Sequence, residues 1–128
     1  MADLLETGLG WLEDQRHHHR TIAVTYHRGA DSVAVQATIG RTVFEVDDGM
    51  GILEKIESRD FLILTADLIL AGQASLPERG DRIKETSGDK VYVYEVLAPG
   101  KEPHYRFSDP YRKTLRIHSK HVDTEDVA

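Results

Sequence analysis

The chain has 128 residues, 40% of them hydrophobic, which fits one compact core rather than two. It lacks cysteine, which excludes disulfides and thiolate metal sites, and its net charge of −6 argues against generic attraction to the phosphate backbone of nucleic acids. No apolar run of about 18 residues and no secretory leader pattern occur, so we expect a single domain over residues 1–128, made in the cytoplasm and not inserted in a membrane.

Residues 3–19 are predicted to form a helix within an N-terminal arm that covers residues 1–20. Asp3 and Glu6 form a variant of the capping box at its start. Three leucines follow the spacing of one helical face, namely Leu5, Leu9 and Leu12. His17–His19 come at the helix end, and because consecutive helical residues point in different directions, they do not predict a metal site.

After the arm, the apolar pattern changes from the helical period to strict alternation, which predicts strands. Residues 22–26 and 33–37 alternate on either side of a Gly29–Asp31 turn. This pattern predicts a β-hairpin with one apolar face.

A second pair of strands is predicted further along. One strand begins at residues 43–46, turn residues occupy Asp47–Gly51, and the chain returns through residues 52–57. Phe61–Leu64 is a short continuous apolar run, as expected for a strand buried on both sides or closing a small barrel.

Thr65–Leu68 is predicted to form one helical turn capped by Thr65. A strand then opens at Gly80-Asp81 and continues through Ile83. Residues 87–90 carry the residue types of a turn and lead into a strand over residues 91–96.

The last third of the chain contains an irregular excursion over residues 98–110, where three prolines argue against a strand. A final strand is predicted over Lys113–His121, and residues 123–128 are predicted to be a frayed acidic tail. The fold class is therefore mainly β: a small β-barrel or sandwich over residues 21–122, with about six to eight short antiparallel strands, an N-terminal helix and a short helical turn.

No constellation of residues predicts a reaction or a cofactor. The spacing of His118 and His121 sends their side chains to opposite faces of a strand, so with His104 they are interpreted as surface histidines. The acidic pair Asp47-Asp48 fits a turn tip better than a glycosidase site. Nucleophile elbows, phosphate-binding loops and dinucleotide fingerprints do not occur. We expect no catalytic, cofactor-binding or metal-binding residues, and no enzyme.

Charge is segregated along the chain. Residues 43–67 hold seven acidic residues against two basic ones, and residues 101–120 hold six basic against two acidic. Two oppositely charged patches suit head-to-tail contact between copies, although a solvated surface with no partner explains them equally well. The candidate interface residues are Glu45, Asp47, Asp48, Glu54 and Glu57 on the acidic side and Arg106, Arg112, Lys113 and Arg116 on the basic side.

An alternative function is a small β-barrel that binds nucleic acid or another ligand. Aromatic residues with interleaved arginines can stack on bases in barrel-shaped nucleic-acid binders. The aromatic residues of this group are Tyr92, Tyr94, Tyr105, Phe107 and Tyr111. The net negative charge argues against this alternative, and aromatic strand residues more often belong to a core.

Several motifs together resemble prophage and siphophage proteins of the head–tail joining type, over about residues 5–122. These motifs are Val43-Phe44-Glu45-Val46, Arg59-Asp60-Phe61-Leu62, Ala66-Asp67-Leu68, Pro77-Glu78-Arg79-Gly80-Asp81, Tyr94-Glu95-Val96 and the segment Ser108–His118. At the level of the fold, the chain is similar to head completion proteins of the stopper type and to the lambda head–tail joining protein FII family.

The resemblance implies a β-barrel that assembles as a ring, a hexamer or a dodecamer, in the virion neck after synthesis in the host cytoplasm. It implies portal, adaptor and tail proteins as partners, passive contact with packaged DNA, and no enzymatic activity. The loops predicted to line the channel or contact other neck proteins contain Gly49, Met50, Gly51, Pro99 and Pro103.

Overall fold

The computed structural model describes residues 21–47, 49–100 and 102–127. The predicted helix at residues 3–19 therefore lies outside the described residues. Within them the chain forms nine strands and one 3₁₀ turn, Thr65–Asp67. The strands are β1 Thr21–Arg28, β2 Asp31–Asp47, β3 Leu53–Leu64, β4 Ile69–Leu70, β5 Gln73–Ala74, β6 Arg82–Ser87, β7 Lys90–Val96, β8 Tyr105–Phe107 and β9 Thr114–Asp126.

Antiparallel pairing joins seven of these strands in the order β3-β2-β1-β6-β7-β9-β8. Strand β3 also pairs with β9, so the pairings of β2, β1, β6, β7, β9 and β3 form a closed circuit. Strands β4 and β5 form a separate small hairpin. The predicted mainly β, antiparallel fold is confirmed.

The core lies on the face of the sheet that the alternating apolar residues share. In β1 and β2 the buried residues Val24, Tyr26, Val35 and Ala37 alternate with more exposed ones, and the predicted hairpin between these strands is confirmed. Gly29 adopts a φ of 58° in its turn, a conformation that glycine takes without strain. The other buried core residues are Phe61, Ile63, Leu68, Leu70, Ile83, Tyr94, Val96, Leu115 and Ile117.

Strands β2 and β3 are longer than the sequence predicts. The two apolar segments 33–37 and 43–46 belong to the single strand β2, and residues 52–57 and 61–64 belong almost entirely to β3. The polar residues between them interrupt the apolar pattern but not the ladder, which runs without a break from Ala37↔Ile63 to Asp47↔Leu53. Backbone pairing, which does not depend on side-chain polarity, makes each strand continuous.

The C-terminal prediction is wrong in two places. The sequence predicts fraying at residues 123–126, but they are the end of β9 and pair with β7, where Lys90 and Asp126 form an ion pair. Tyr105–Phe107 was placed in an irregular excursion, but it forms β8 against β9. A strand forms where its backbone can hydrogen-bond to a neighbouring strand, so neither the acidic composition nor the nearby prolines prevent these segments from pairing.

The predicted helical turn after β3 is present as the 3₁₀ turn Thr65–Asp67, but Thr65 does not cap it. The N-cap residue is Leu64, which has no side-chain capping bond. The hydroxyl of Thr65 instead donates to the backbone oxygen of Arg112 at 2.9 Å. This bond ties the end of β3 to the loop before β9.

A buried carboxylate, Asp81, holds the turn before β6 in place. It accepts hydrogen bonds from the hydroxyl of Tyr26, from Nη2 of Arg28 at 2.8 Å and from the backbone N–H of Glu78 at 2.9 Å. Burial, followed by the hydrogen bond to Asp81, raises the pKa of Tyr26 well above its ordinary value. The cluster fixes the Glu78–Asp81 turn against β1.

We predict that Asp81→Ala lowers the free energy of unfolding by about 3 kcal/mol, because it leaves the buried hydroxyl of Tyr26 without its acceptor and removes one carboxylate partner of Arg28, which keeps Glu78 and the backbone oxygen of Leu76. Tyr26→Phe removes one hydrogen bond and should cost only about 1 kcal/mol. Urea denaturation of both variants measures the difference, with Glu102→Ala as an exposed control. Equal losses in the two variants would contradict this account of the cluster.

Candidate functional site

The paired ends of β2 and β3 project from the sheet as a two-stranded ribbon. Strand β1 pairs with β2 only as far as Thr38, and β9 pairs with β3 only as far as Arg59. Beyond these points, among the described strands, β2 and β3 pair only with each other. We call residues 43–57 the acidic hairpin. At its tip the backbone N–H of Gly49 donates to Oδ1 of Asp47 at 2.9 Å, which forms the expected turn.

The acidic hairpin exposes carboxylates and large apolar side chains together. The sequence-predicted interface residues on it are exposed, namely Glu45, Asp47, Glu54 and Glu57, while Asp48 lies outside the described residues. Met50 at the tip is 85% exposed. The other exposed apolar side chains of the hairpin are Val43, Ile52, Leu53 and Ile56. Clustered apolar exposure on a projecting element is typical of a surface that contacts another protein.

One face of the hairpin packs against β9 and against the loop that follows β7. The ring of Phe44 contacts the ring of His118 edge to face, with centroids 5.4 Å apart. A Cβ added to Gly100 would lie 3.6 Å from Cγ2 of Val46, so the loop approaches the ribbon closely. Of the two prolines predicted to be in contact loops, Pro103 is exposed, whereas Pro99 is buried and therefore serves packing.

Asp60 lies at the base of the hairpin and holds three strands together. Its side chain is 0% exposed. Oδ1 accepts from the hydroxyl of Ser58 at 2.5 Å and lies 2.8 Å from Nδ1 of His118. Oδ2 accepts from Nε of Arg116 at 2.7 Å and from the hydroxyl of Thr42. Asp60 thus links β3 to β2 on one side and to β9 on the other.

The nearby serine, histidine and aspartate do not form a catalytic triad. In a triad the serine and the aspartate bond to opposite nitrogens of the imidazole. Here the hydroxyl of Ser58 donates to Asp60, and both groups lie on the Nδ1 side of His118. All three residues are buried. The geometry leaves the serine without a base, so its role is structural.

The environment of Asp60 changes its titration. Burial by itself raises the pKa of this carboxyl, but hydrogen bonds from His118, Ser58 and Thr42 outweigh burial and lower the pKa to about 2. The carboxylate is therefore the form that the folded protein favours at neutral pH. The sequence prediction that His118 is a surface histidine is wrong, because the side chain is buried against Asp60.

Of the predicted basic interface residues, the exposed ones lie on β8 and on the loop before β9. The side chain of Asp109 accepts hydrogen bonds from the backbone N–H groups of Lys113 and Thr114, both at 2.8 Å, and so shapes this loop. The guanidinium of Arg112 lies 5.4 Å from the ring centroid of Phe107. We call the three exposed cations Arg106, Arg112 and Lys113 the basic loop.

Arg116 differs from the other predicted basic interface residues, because it is already engaged. Nε donates to Asp60, and Nη2 donates to the backbone oxygen of Arg41 at 3.2 Å. Its side chain is only 20% exposed. Arg116 therefore stabilises the base of the hairpin instead of extending toward a partner.

A groove of about 980 Å³ lies at the base of the acidic hairpin, between β2, β3, β7 and β9. Its lining includes four basic side chains and the carboxylate of Glu57. The basic residues are Arg41, Arg59, Arg116 and Lys120. Sequence reasoning missed this cationic groove, because Arg41 and Arg59 lie far from Arg116 and Lys120 in the chain. The signal that brings them together is strand register, which pairs Arg41 with Arg59 and Arg59 with Ser119.

The aromatic residues considered for base stacking do not form a common exposed platform. Tyr94 is buried and contacts Phe61 edge to face, while Tyr92, Tyr105 and Phe107 pack against the core. Tyr111 is the exposed member, at 79%. A row of stacking rings, which sequence-tolerant binding of single strands uses, is therefore not formed by this group.

Residues 21–47, 49–100 and 102–127 contain neither a cluster of metal-ligand side chains nor a membrane-spanning helix. In these residues no three histidine, aspartate or glutamate side chains come together as a group that could hold a metal ion. No helix in the same part of the chain is long and apolar enough to cross a lipid bilayer.

The described residues define a small antiparallel β protein whose ionic groups either lock the fold or cover surfaces suited to contact with other proteins. The model of the family described as phage head-tail joining protein matches residues 2–126, and the chain belongs to that family. It is therefore a structural protein of the phage neck, with head and tail components as partners. The comparison with curated proteins finds no match.

We predict that Asp60 makes stability depend on acid pH. Because its pKa is lower in the folded protein than the ordinary value of 3.8, its carboxylate stabilises the fold above about pH 4, and this stabilisation is lost as pH falls toward about 2. The pH-dependent part should be about 2 kcal/mol. Chemical denaturation of Asp60→Asn over this range should show a flatter pH profile than the parent chain.

Asp89→Asn, in the exposed turn between β6 and β7, is the matched control and should keep the parent profile. If Asp60→Asn retained the full acid dependence, the buried carboxylate would not be its source.

Proposed function

We propose that the chain joins the DNA-filled head to the tail as one subunit of a connector ring. Membership of the head–tail joining family supports the neck role. The projecting acidic hairpin is the observation that supports assembly into a ring. A ring of identical subunits needs two different patches that complement each other. The acidic hairpin and the basic surface of residues 106–120 meet that requirement in charge.

We also infer that the body of the subunit is a small barrel. Its support is the closed circuit of strand pairings, which returns from β9 to β3. Closure removes the exposed edges of a sheet, and exposed edges invite unspecific pairing between chains. Among the described strands, the ends of β2 and β3 in the hairpin then have long outer edges that a neighbouring subunit can contact.

The tip of the hairpin is proposed to reach the channel or the adjoining neck proteins. Gly49 and Gly51 hold the tip in positive φ conformations, and Met50 is exposed between them. The acids near the tip would repel DNA and favour its passage over its retention, which corresponds to passive contact. Pro103, exposed in the loop after β7, is the second proposed contact point.

The basic loop is proposed to contact an acidic surface of the portal, the adaptor, a tail protein or a second copy. We predict that reversing charge in Arg112→Glu/Lys113→Glu lowers the incorporation of the protein onto portal complexes about tenfold, because opposite charges across an interface become like charges. Electron microscopy of the protein mixed with its portal ring measures incorporation as an added layer.

Arg79→Glu/Arg82→Glu is the control, since both arginines are exposed and lie outside the basic loop. Unchanged incorporation of the Arg112→Glu/Lys113→Glu variant would remove the basic loop from the interface. Failure of the parent protein to add a layer to any portal, adaptor or tail complex would overturn the proposed function itself.

A further inference from the structure

The cationic groove at the base of the hairpin combines charge with apolar surface. Its apolar lining is formed by Ile39, Leu62 and Tyr94, and its most exposed cations are Arg41 and Lys120. A volume of about 980 Å³ is large enough for several side chains. A ligand that fits it therefore has acidic and apolar groups side by side.

Arg59 is held rigidly in the wall of this groove. Its guanidinium lies 5.2 Å from the ring centroid of Tyr94 and 5.8 Å from that of Phe61, and Nη2 donates to Glu85 at 2.5 Å. Nε of Arg59 is buried and has no hydrogen-bond partner among the described residues. A buried donor without an acceptor is unfavourable, but Nε is too buried to be reached by a ligand, so Arg59 contributes to the groove a positive charge fixed in its wall.

The acidic hairpin has the composition that the groove requires. Glu45 and Asp47 are exposed on one face of it, which the register of β2 and β3 makes common to the exposed Val43 and Leu53. The match is therefore in both charge and apolar surface. Charge alone would not suffice, because solvent-exposed ion pairs contribute little.

The tip of the hairpin cannot reach the groove of its own chain, although Glu57, at the base of the hairpin, lines that groove and lies 3.7 Å from Arg41. Arg41 lines the groove and Asp47 ends the same strand, so the strand carries the tip roughly 20 Å away from the groove. The occupant must come from another molecule. The groove and the tip are different surfaces of one chain, so their contact is of the head-to-tail kind that builds rings.

We propose that the cationic groove of each subunit binds the acidic hairpin of the next copy of this chain. This inference rests on the proposed ring. It replaces the broad basic surface of residues 106–120 with a smaller binding site, the groove, in which Arg116 and Lys120 lie near Arg41 and Arg59. The carboxylates of Glu45 and Asp47 face the cations, while Val43 and Leu53, on the same face of the hairpin, cover Leu62 and Tyr94.

The absence of cysteine from the chain allows a direct test by crosslinking. Leu53→Cys on the hairpin and Lys120→Cys on the groove are introduced together, and assembled particles are treated with a short bis-maleimide. The expected result is a ladder of covalent multimers on a denaturing gel. Leu53→Cys combined with Arg79→Cys, an exposed position away from the groove, should give at most dimers.

A charge exchange gives a second readout that does not depend on cysteines. Arg41→Glu/Lys120→Glu should lower incorporation into the neck about tenfold, and adding Glu45→Lys/Asp47→Lys to the same chain should restore it. Circular dichroism checks that each variant is folded. Restoration requires that the two surfaces meet between copies.

The outcomes separate this inference from the proposed function. Particles that contain the protein but yield no ladder, or incorporation that the hairpin reversal does not restore, would overturn the inference and leave the neck role standing. If Arg41→Glu/Lys120→Glu instead abolished binding of double-stranded DNA by the parent protein, and hairpin reversal did not restore it, the groove would belong to DNA and the inference would fail.

Discussion

The carboxylate of Asp60 determines where the sheet ends and the hairpin begins. It accepts hydrogen bonds from β2, β3 and β9 at the point where β3 loses its second neighbour. A buried carboxylate is stable only if its oxygens are satisfied, so Thr42, Ser58 and Arg116 must keep their positions. The ribbon that leaves this cluster therefore starts from a fixed base. Without that base the hairpin would have no defined direction.

The two surfaces considered for contact follow from this arrangement. The hairpin has no second neighbour among the described strands, so its acids and apolar side chains remain exposed. The same loss of neighbours opens the cationic groove beside its base, where Arg116 connects the groove to Asp60. One structural event, the departure of β2 and β3 from the sheet, therefore creates both an acidic projection and a basic recess. Both surfaces depend on the same strand ends and on the cluster around Asp60.

Much of the fold could be predicted from the sequence, because alternation and turn residues are local signals. Adjacent residues predict the hairpin of β1 and β2 and the turn at Asp47–Gly51. Short motifs, each made of adjacent residues, carry the family resemblance. Features set by pairing between distant segments could not be predicted this way. The burial of His118 depends on Asp60, and the groove depends on a register that places Arg41 opposite Arg59. A prediction from local polarity therefore assigned His118 to the surface.

The place of β9 in the order of strands has a consequence for biosynthesis. This strand pairs with β3, β7 and β8, which all precede it, so the circuit of strands is complete only after β9 has been translated. Contacts between β3 and β9 span 50 to 60 residues of sequence, and such non-local closure slows folding. Until then β3 and β7 each lack a neighbour. Their open edges stay available for non-native pairing until β9 leaves the ribosome.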